Sequence, residues 1–141
     1  MSDTVAASFA LDGRLVADTA FVCDWALCRV LLMDDARFPW LILVPRAPGA
    51  VELDDLAPHD RTTLLHEIER AMQVLRNIAP CDKLNIGALG NIVRQLHVHV
   101  VARTVGDAAW PGPVWGSGAA VRYEPTAREA LVARLRAVTA A

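Results

Sequence analysis

His97 and His99 stand two residues apart in the run Q-L-H-V-H-V-V, residues 95–101. On a strand, side chains alternate faces with period two. Gln95, His97, His99 and Val101 therefore share one face, and Leu96, Val98, Val100 and Ala102 the other. The second set is uniformly apolar and belongs on a core. The first set puts two imidazoles side by side. Neutral imidazole is a nucleophile near pH 7, because its unperturbed pKa is about 6.5. One histidine can attack phosphorus or a carbonyl carbon while the other orients it or donates to an oxygen. The same pair can serve as two zinc ligands if a third comes from elsewhere, or lie hydrogen-bonded and inert beneath a loop. Gly87 and Gly90 lie just upstream, where such turns can aim backbone N–H groups at an anion.

The rest of the chain supplies elements to hold this strand. Residues 1–7 read as loose, and residues 9–15 as a short helical or irregular segment packed on the domain. Residues 20–23 and 27–33 read as strands joined by a turn at Asp24-Trp25. In the second of them, Arg29 shares a face with Leu27, Leu31 and Met33, opposite Cys28, Val30 and Leu32. Pro39 ends a turn, and W-L-I-L-V at 40–44 fits a strand buried on both faces, pairing antiparallel with 27–33. Pro48-Gly49 marks a loop. A long helix is predicted over 58–78, with Pro58 in its first turn and Leu64, Leu65, Ile68, Ala71, Met72, Leu75 and Ile78 as its apolar stripe. Glu67 falls on its flank or far side, and His59 and His66 on its surface. Strands at 84–88 and 93–102 follow, then a Gly- and Pro-rich loop carrying Trp110 and Trp115, then a closing helix over 124–138. Loops this long are commonly functional. Its tryptophans should pack on their own subunit or across a dimer. Strands, one crossover helix and strands again give an α+β fold: a mostly antiparallel sheet covered by one long helix, with a further C-terminal helix.

Composition narrows the function classes. A chain of 141 residues fits one domain. Its 54% hydrophobic content suggests a full core or an apolar face covered by a second copy. Fourteen basic residues against 16 acidic, with Lys83 the lone lysine, leave no basic footprint for nucleic acid. No run of apolar residues is long enough for a membrane span, and the start M-S-D-T does not resemble a secretory leader. Cys23, Cys28 and Cys81 are odd in number and form no C-x-x-C pair, so they read as reduced thiols of a cytoplasmic protein. Cys23 and Cys28 flank what looks like a hairpin link, a poor setting for metal ligands.

The run Q-L-H-V-H-V-V resembles the signature of the histidine triad superfamily, in which histidines alternate with hydrophobic residues. Asn85-Ile86-Gly87 and the turn through Gly90-Asn91 resemble its lead-in. Val44-Pro45-Arg46 resembles its V-I-P-K/R element, Asp34 its ribose-binding carboxylate, and Trp110-Pro111-Gly112 the Trp-Pro of its C-terminal loop. The resemblance covers about residues 20–116 of a single domain spanning 1–141, with loop and helix at 104–141. It implies an α+β homodimer formed by sheet continuation, and a nucleotide site. His97 matches the nucleophile that attacks the α-phosphorus of a nucleoside phosphoramidate or dinucleoside polyphosphate to give a covalent nucleotidyl-imidazole. His99 matches the last triad histidine, beside the phosphate and leaving group. Asn85 would support the turn and the imidazole, Asn91 would approach the phosphate, and Leu31 and Phe38 are candidates for the apolar base pocket. No cofactor is required in this scheme, and no metal, although a divalent cation has room to act with polyphosphate substrates. Two departures stand out. Gln95 occupies the first histidine position and cannot titrate near pH 7. Ile92 stands about where the family offers a hydroxyl. They leave open a non-catalytic nucleotide-binding or interaction module on the same fold.

Overall fold

A computed structural model describes residues 8–140; the expectation for residues 1–7 lies outside the described residues. Nine elements follow in order: α1 (Gly13–Asp18), β1 (Thr19–Asp24), β2 (Cys28–Met33), β3 (Trp40–Pro45), a 3-10 turn (Leu53–Asp55), α2 (Pro58–Ile78), β4 (Lys83–Gly87), β5 (Val98–Arg103) and α3 (Pro125–Ala140). The strands form one antiparallel sheet in the order β1-β2-β3-β5-β4. This is the α+β fold that the alternation and the single long crossover helix predict.

Period-two alternation divides the sheet into two chemically different faces. Cys28, Val30 and Leu32 of β2, Leu41 and Leu43 of β3, and Val98, Val100 and Ala102 of β5 pack with Leu64, Ala71, Val74 and Leu75 of α2 and Val132 and Leu135 of α3. Both long helices therefore cover the same face. The opposite face carries a second cluster of Leu31, Phe38, Trp40, Ile42, Val44, Val101 and Val114. Among the described residues no helix of comparable length covers it, and His99 lies in this layer by its parity with Val101. No described helix is long and apolar enough to cross a membrane.

Two helix positions differ from the expected stripe. Leu65 is exposed, whereas Glu67 is buried. The Glu67 carboxylate accepts from the backbone N–H groups of Leu27 and Cys28 at 3.1 and 2.7 Å. Those amides enter β2 from the hairpin turn, and a buried N–H needs an acceptor. The core-facing position on α2 therefore holds a carboxylate. The last strand also begins later than expected, at Val98 rather than 93. Leu96 N–H donates to Ala50 O instead of to a neighbouring strand, so residues 93–97 form an irregular lead-in.

Candidate active site

The β5 register places His99 between two neighbours, Ile42 on β3 and Gly87 on β4. Residue 87 has no side chain, and the Trp115 ring occupies the resulting space. A Cβ at position 87 would stand 2.9 Å from the ring's Cη2. Trp115 meets the His99 ring edge-on at 5.5 Å. The long loop thus folds onto its own subunit, and Trp110 lies under the Arg103 guanidinium at 5.7 Å. Gly87→Ala is expected to destabilise the protein by about 1–3 kcal/mol through overpacking, measured as a lower urea midpoint. A midpoint equal to wild type would mean that Trp115 is not held against β4.

His97 and His99 are both buried, with ring centroids 4.9 Å apart. Their hydrogen bonds assign opposite protonation patterns. His97 Nδ1 lies 2.7 Å from Gln95 O, and a carbonyl can only accept, so Nδ1 carries a proton and, in the neutral ring, Nε2 keeps the lone pair. The Trp40 indole N–H donates to His99 Nδ1 at 3.0 Å, and an indole can only donate, so His99 carries its proton on Nε2. Burial, and then the neighbouring His97, push the His99 pKa down to about 4. His99 is therefore uncharged at neutral pH.

Two clefts share Leu89 as a wall. One, of about 280 Å³, is lined by His97, Gly90, Glu52 and Asp54 among others. The other, of about 410 Å³, is lined by Trp40, Trp115, Asn91, Ile92 and the Asp35–Arg37 pair. Gly90, at φ +71°, makes the turn between β4 and the lead-in. Ile92 projects at 77% exposure. Among the described residues, no cluster of three or more His, Cys, Asp or Glu is arranged to hold a metal ion.

The structure brings His97, His99 and the Gln95 backbone together and places Asn91 in the adjoining cleft. The other residues singled out from the sequence make their contacts elsewhere. The Gln95 side chain does not reach either imidazole. It ties down the N-terminal segment, accepting from Asp12 N–H and donating to Ala10 O, both at 2.8 Å. Asn85 accepts from Arg103 at 2.9 Å, not from a histidine. Asp34 accepts from Tyr123 N–H, Arg122 and Arg128, and its side chain is 2% exposed, so it anchors the C-terminal segment and has no open side for a ribose. Leu31 and Phe38 are each 1% exposed in the core cluster of this sheet face, and neither lines these two clefts, although Leu31 borders another, with Phe21 and Arg29. Sequence reasoning assigned Trp40 only to a buried strand, and expected Trp115 to pack on its own subunit or across a dimer without linking it to His99. The available signals were a Trp opening the strand next to the histidines and a Gly directly opposite His99.

A family model described as HIT domain matches residues 14–106. The chain is 46% identical to a histidine triad protein from Bradyrhizobium japonicum of known structure, with a TM-score of 0.90 over 94% of this chain and 99% of that one. A histidine triad protein from Marinobacter aquaeolei is 40% identical, with a TM-score of 0.86 over 95% and 98% of the two chains. A Mycobacterium tuberculosis protein named AP-4-A phosphorylase is 33% identical over 72 residues, which are 47% of this chain and 37% of that relative. The matched segment is thus little more than a third of that relative's length.

Proposed function

The chain belongs to the HIT domain family, and from that premise we propose that it is a nucleotide hydrolase or transferase acting at an α-phosphorus through a covalent nucleotidyl-His97 intermediate. The observation that carries this reading is the opposite protonation of the two imidazoles. The His97 Nε2 lone pair attacks phosphorus, and the P–N or P–O bond to the leaving group breaks. The bond's electron pair departs with that group, which takes its proton from solvent. His97 keeps Nδ1–H, and Gln95 O stabilises the resulting phosphoryl-imidazolium. Water then attacks the same phosphorus and loses its proton to solvent, and the P–N bond returns its pair to Nε2. His99, neutral, donates a hydrogen bond from Nε2–H to a phosphoryl or leaving-group oxygen, a role suited to charge that grows in the transition state. Residue 95 contributes its backbone carbonyl, which any residue there would supply, while the Gln95 side chain is bound to residues 10 and 12. A homodimer would form through the free edge of β4, where Ile86 is exposed.

The substrates in view are nucleoside phosphoramidates and dinucleoside polyphosphates, and charge favours the former. The clefts carry Glu52, Asp54 and Asp35 against a single guanidinium, Arg37, already paired with Asp35. Like unit charges ~8 Å apart at an effective dielectric of ~20 repel by about 2 kcal/mol. An adenosine phosphoramidate should therefore exceed a dinucleoside tetraphosphate in kcat/KM by at least ~10-fold. Added magnesium should narrow the gap by screening the polyphosphate. Equal values without a divalent cation would contradict the charge argument.

Intact-protein mass spectrometry tests the mechanism. Wild-type protein mixed with an adenosine phosphoramidate and quenched at mildly alkaline pH should gain one nucleotidyl mass and release product. Neither adduct nor product would favour the second reading, a nucleotide-binding module without turnover. The engaged Gln95 side chain and the donorless, exposed Ile92 are what favour that alternative.

A further inference from the structure

We propose that Trp40 is a positioning residue of this site: its indole N–H fixes His99 in the Nε2–H form, so that His99 presents a permanent donor beside the lone pair of His97. The inference rests on the nucleotidyl-transfer reading for its kinetic consequence, but not for its structural content.

A neutral imidazole has two tautomers of similar energy, and its neighbours decide which prevails. If Nε2 lacked its proton, His99 would turn a lone pair toward an anionic phosphoryl oxygen and repel it. Trp40 removes that choice. Its N–H has no acceptor function, the bond is 3.0 Å long, and both side chains are buried, so water does not compete. Trp40 is itself held in place. Phe38 meets its ring edge-on at 6.4 Å, and its Cα pairs with Val101 across β3 and β5. Ala102 N–H donates to Pro39 O just before it.

Burial alone does not explain the bond. Among the described residues, the buried indole nitrogens of Trp25 and Trp115 have no protein acceptor, so burial of a Trp does not by itself bring its N–H onto a histidine. At Trp40 the donor is aimed at the ring nitrogen of a site histidine. The groups around His99 leave no competing partner for Nδ1. Gly87 and Ile42 flank it from β4 and β3, Trp115 covers it edge-on, and His97 is directed to the Gln95 carbonyl. Asp35 and Arg37, farther along the same cleft, are paired with each other.

Nitrogen-15 NMR of protein labelled at the histidine imidazoles tests the proposal directly. Three forms are compared: wild type, Trp40→Phe, and protein in which 3-benzothienylalanine replaces Trp40. The last keeps the bicyclic shape and removes only the N–H, which guards against misfolding of the phenylalanine variant. Wild type should show His99 protonated on Nε2 and not on Nδ1 between about pH 5 and 8. Both substituted proteins should show a mixture of tautomers and a higher His99 pKa, because the lost bond favoured the neutral form. Their kcat should fall ~10-fold with KM within about twofold, as expected of an interaction that strengthens in the transition state. A wild-type His99 protonated on Nδ1 would overturn the proposal. So would tautomer populations unchanged in both substituted proteins, or an unchanged kcat despite a shifted tautomer. If wild type turns over no substrate, the proposed function falls, and the tautomer comparison still decides the role of Trp40.

Discussion

Replacing His97 by alanine is expected to lower turnover by at least ~10³-fold and to leave nucleotide binding within a few-fold of wild type. The size follows from chemistry that no neighbour can take over. His99 is the nearest imidazole, but its Nδ1 is occupied by Trp40 and its Nε2 carries a proton, so it has no free lone pair to attack with. Gln95 offers only a carbonyl at this point, since its amide is bound to residues 10 and 12. The larger cleft survives the substitution, because His97 is not among its walls, which include Leu89, Trp40, Trp115 and Asn91. Binding and chemistry should therefore separate, and calorimetry beside steady-state kinetics will show whether they do. His97→Ala protein that retains wild-type turnover would eliminate the covalent mechanism. A parallel loss of binding would instead assign His97 to affinity and not to the chemical step.

The sequence disclosed the face of His99 because strand alternation depends on neighbours only, whereas His97 precedes β5, in the irregular lead-in. Val98, Val100 and Ala102 had to face one core, which left His99 on the other side. The fold class followed from similar local patterns, a 21-residue amphipathic helix between groups of short strands. What stayed hidden depends on contacts across long sequence separations. The Gln95 bond to Asp12 spans 83 residues, and the Trp40 bond to His99 spans 59. Neither can be read without the β3–β5 register and the path of the N-terminal segment. Asp34 illustrates the same limit. Its position ahead of β3 matched a ribose-binding carboxylate, but three donors from residues 122–128 occupy it, about ninety residues later in the chain. Glu67 looked like a surface charge until the unpaired amides of residues 27 and 28 gave it a buried role.

Arg103→Met should be the most destabilising of these changes, costing about 3–5 kcal/mol, because it breaks a buried ion pair from one side. Arg103 ends β5 at 1% exposure. Its guanidinium forks onto Asp107 through Nε and Nη2, both at 2.8 Å, and donates from Nη1 to Asn85. It also lies over the Phe38 and Trp110 rings. Methionine preserves much of the stem but leaves the Asp107 side chain charged, 8% exposed and without its cation. Against a typical total stability of roughly 5–15 kcal/mol, such a loss lowers the melting temperature by on the order of 10 °C. The dependence on pH has a definite sign. The Arg103 fork, helped by the Ala109 and Thr104 amides, holds the Asp107 pKa well below the ordinary carboxylate value in spite of burial. A depressed pKa gives stability that is fully present above the unfolded value of about 4 and is lost as pH falls toward the folded one. The gap between wild type and Arg103→Met should therefore be widest near neutrality and narrow below about pH 4. Asp107→Asn combined with Arg103→Met should recover part of the loss, since the stranded charge is gone. A gap under about 1 kcal/mol at neutral pH would refute the buried-pair account. The same experiment bears on the site, because Asp107 anchors the start of the loop that returns Trp115 to Gly87 and His99. Weakening that anchor should loosen the aromatic cover over His99, so stability and kcat should fall together in Arg103→Met and recover together in the double variant.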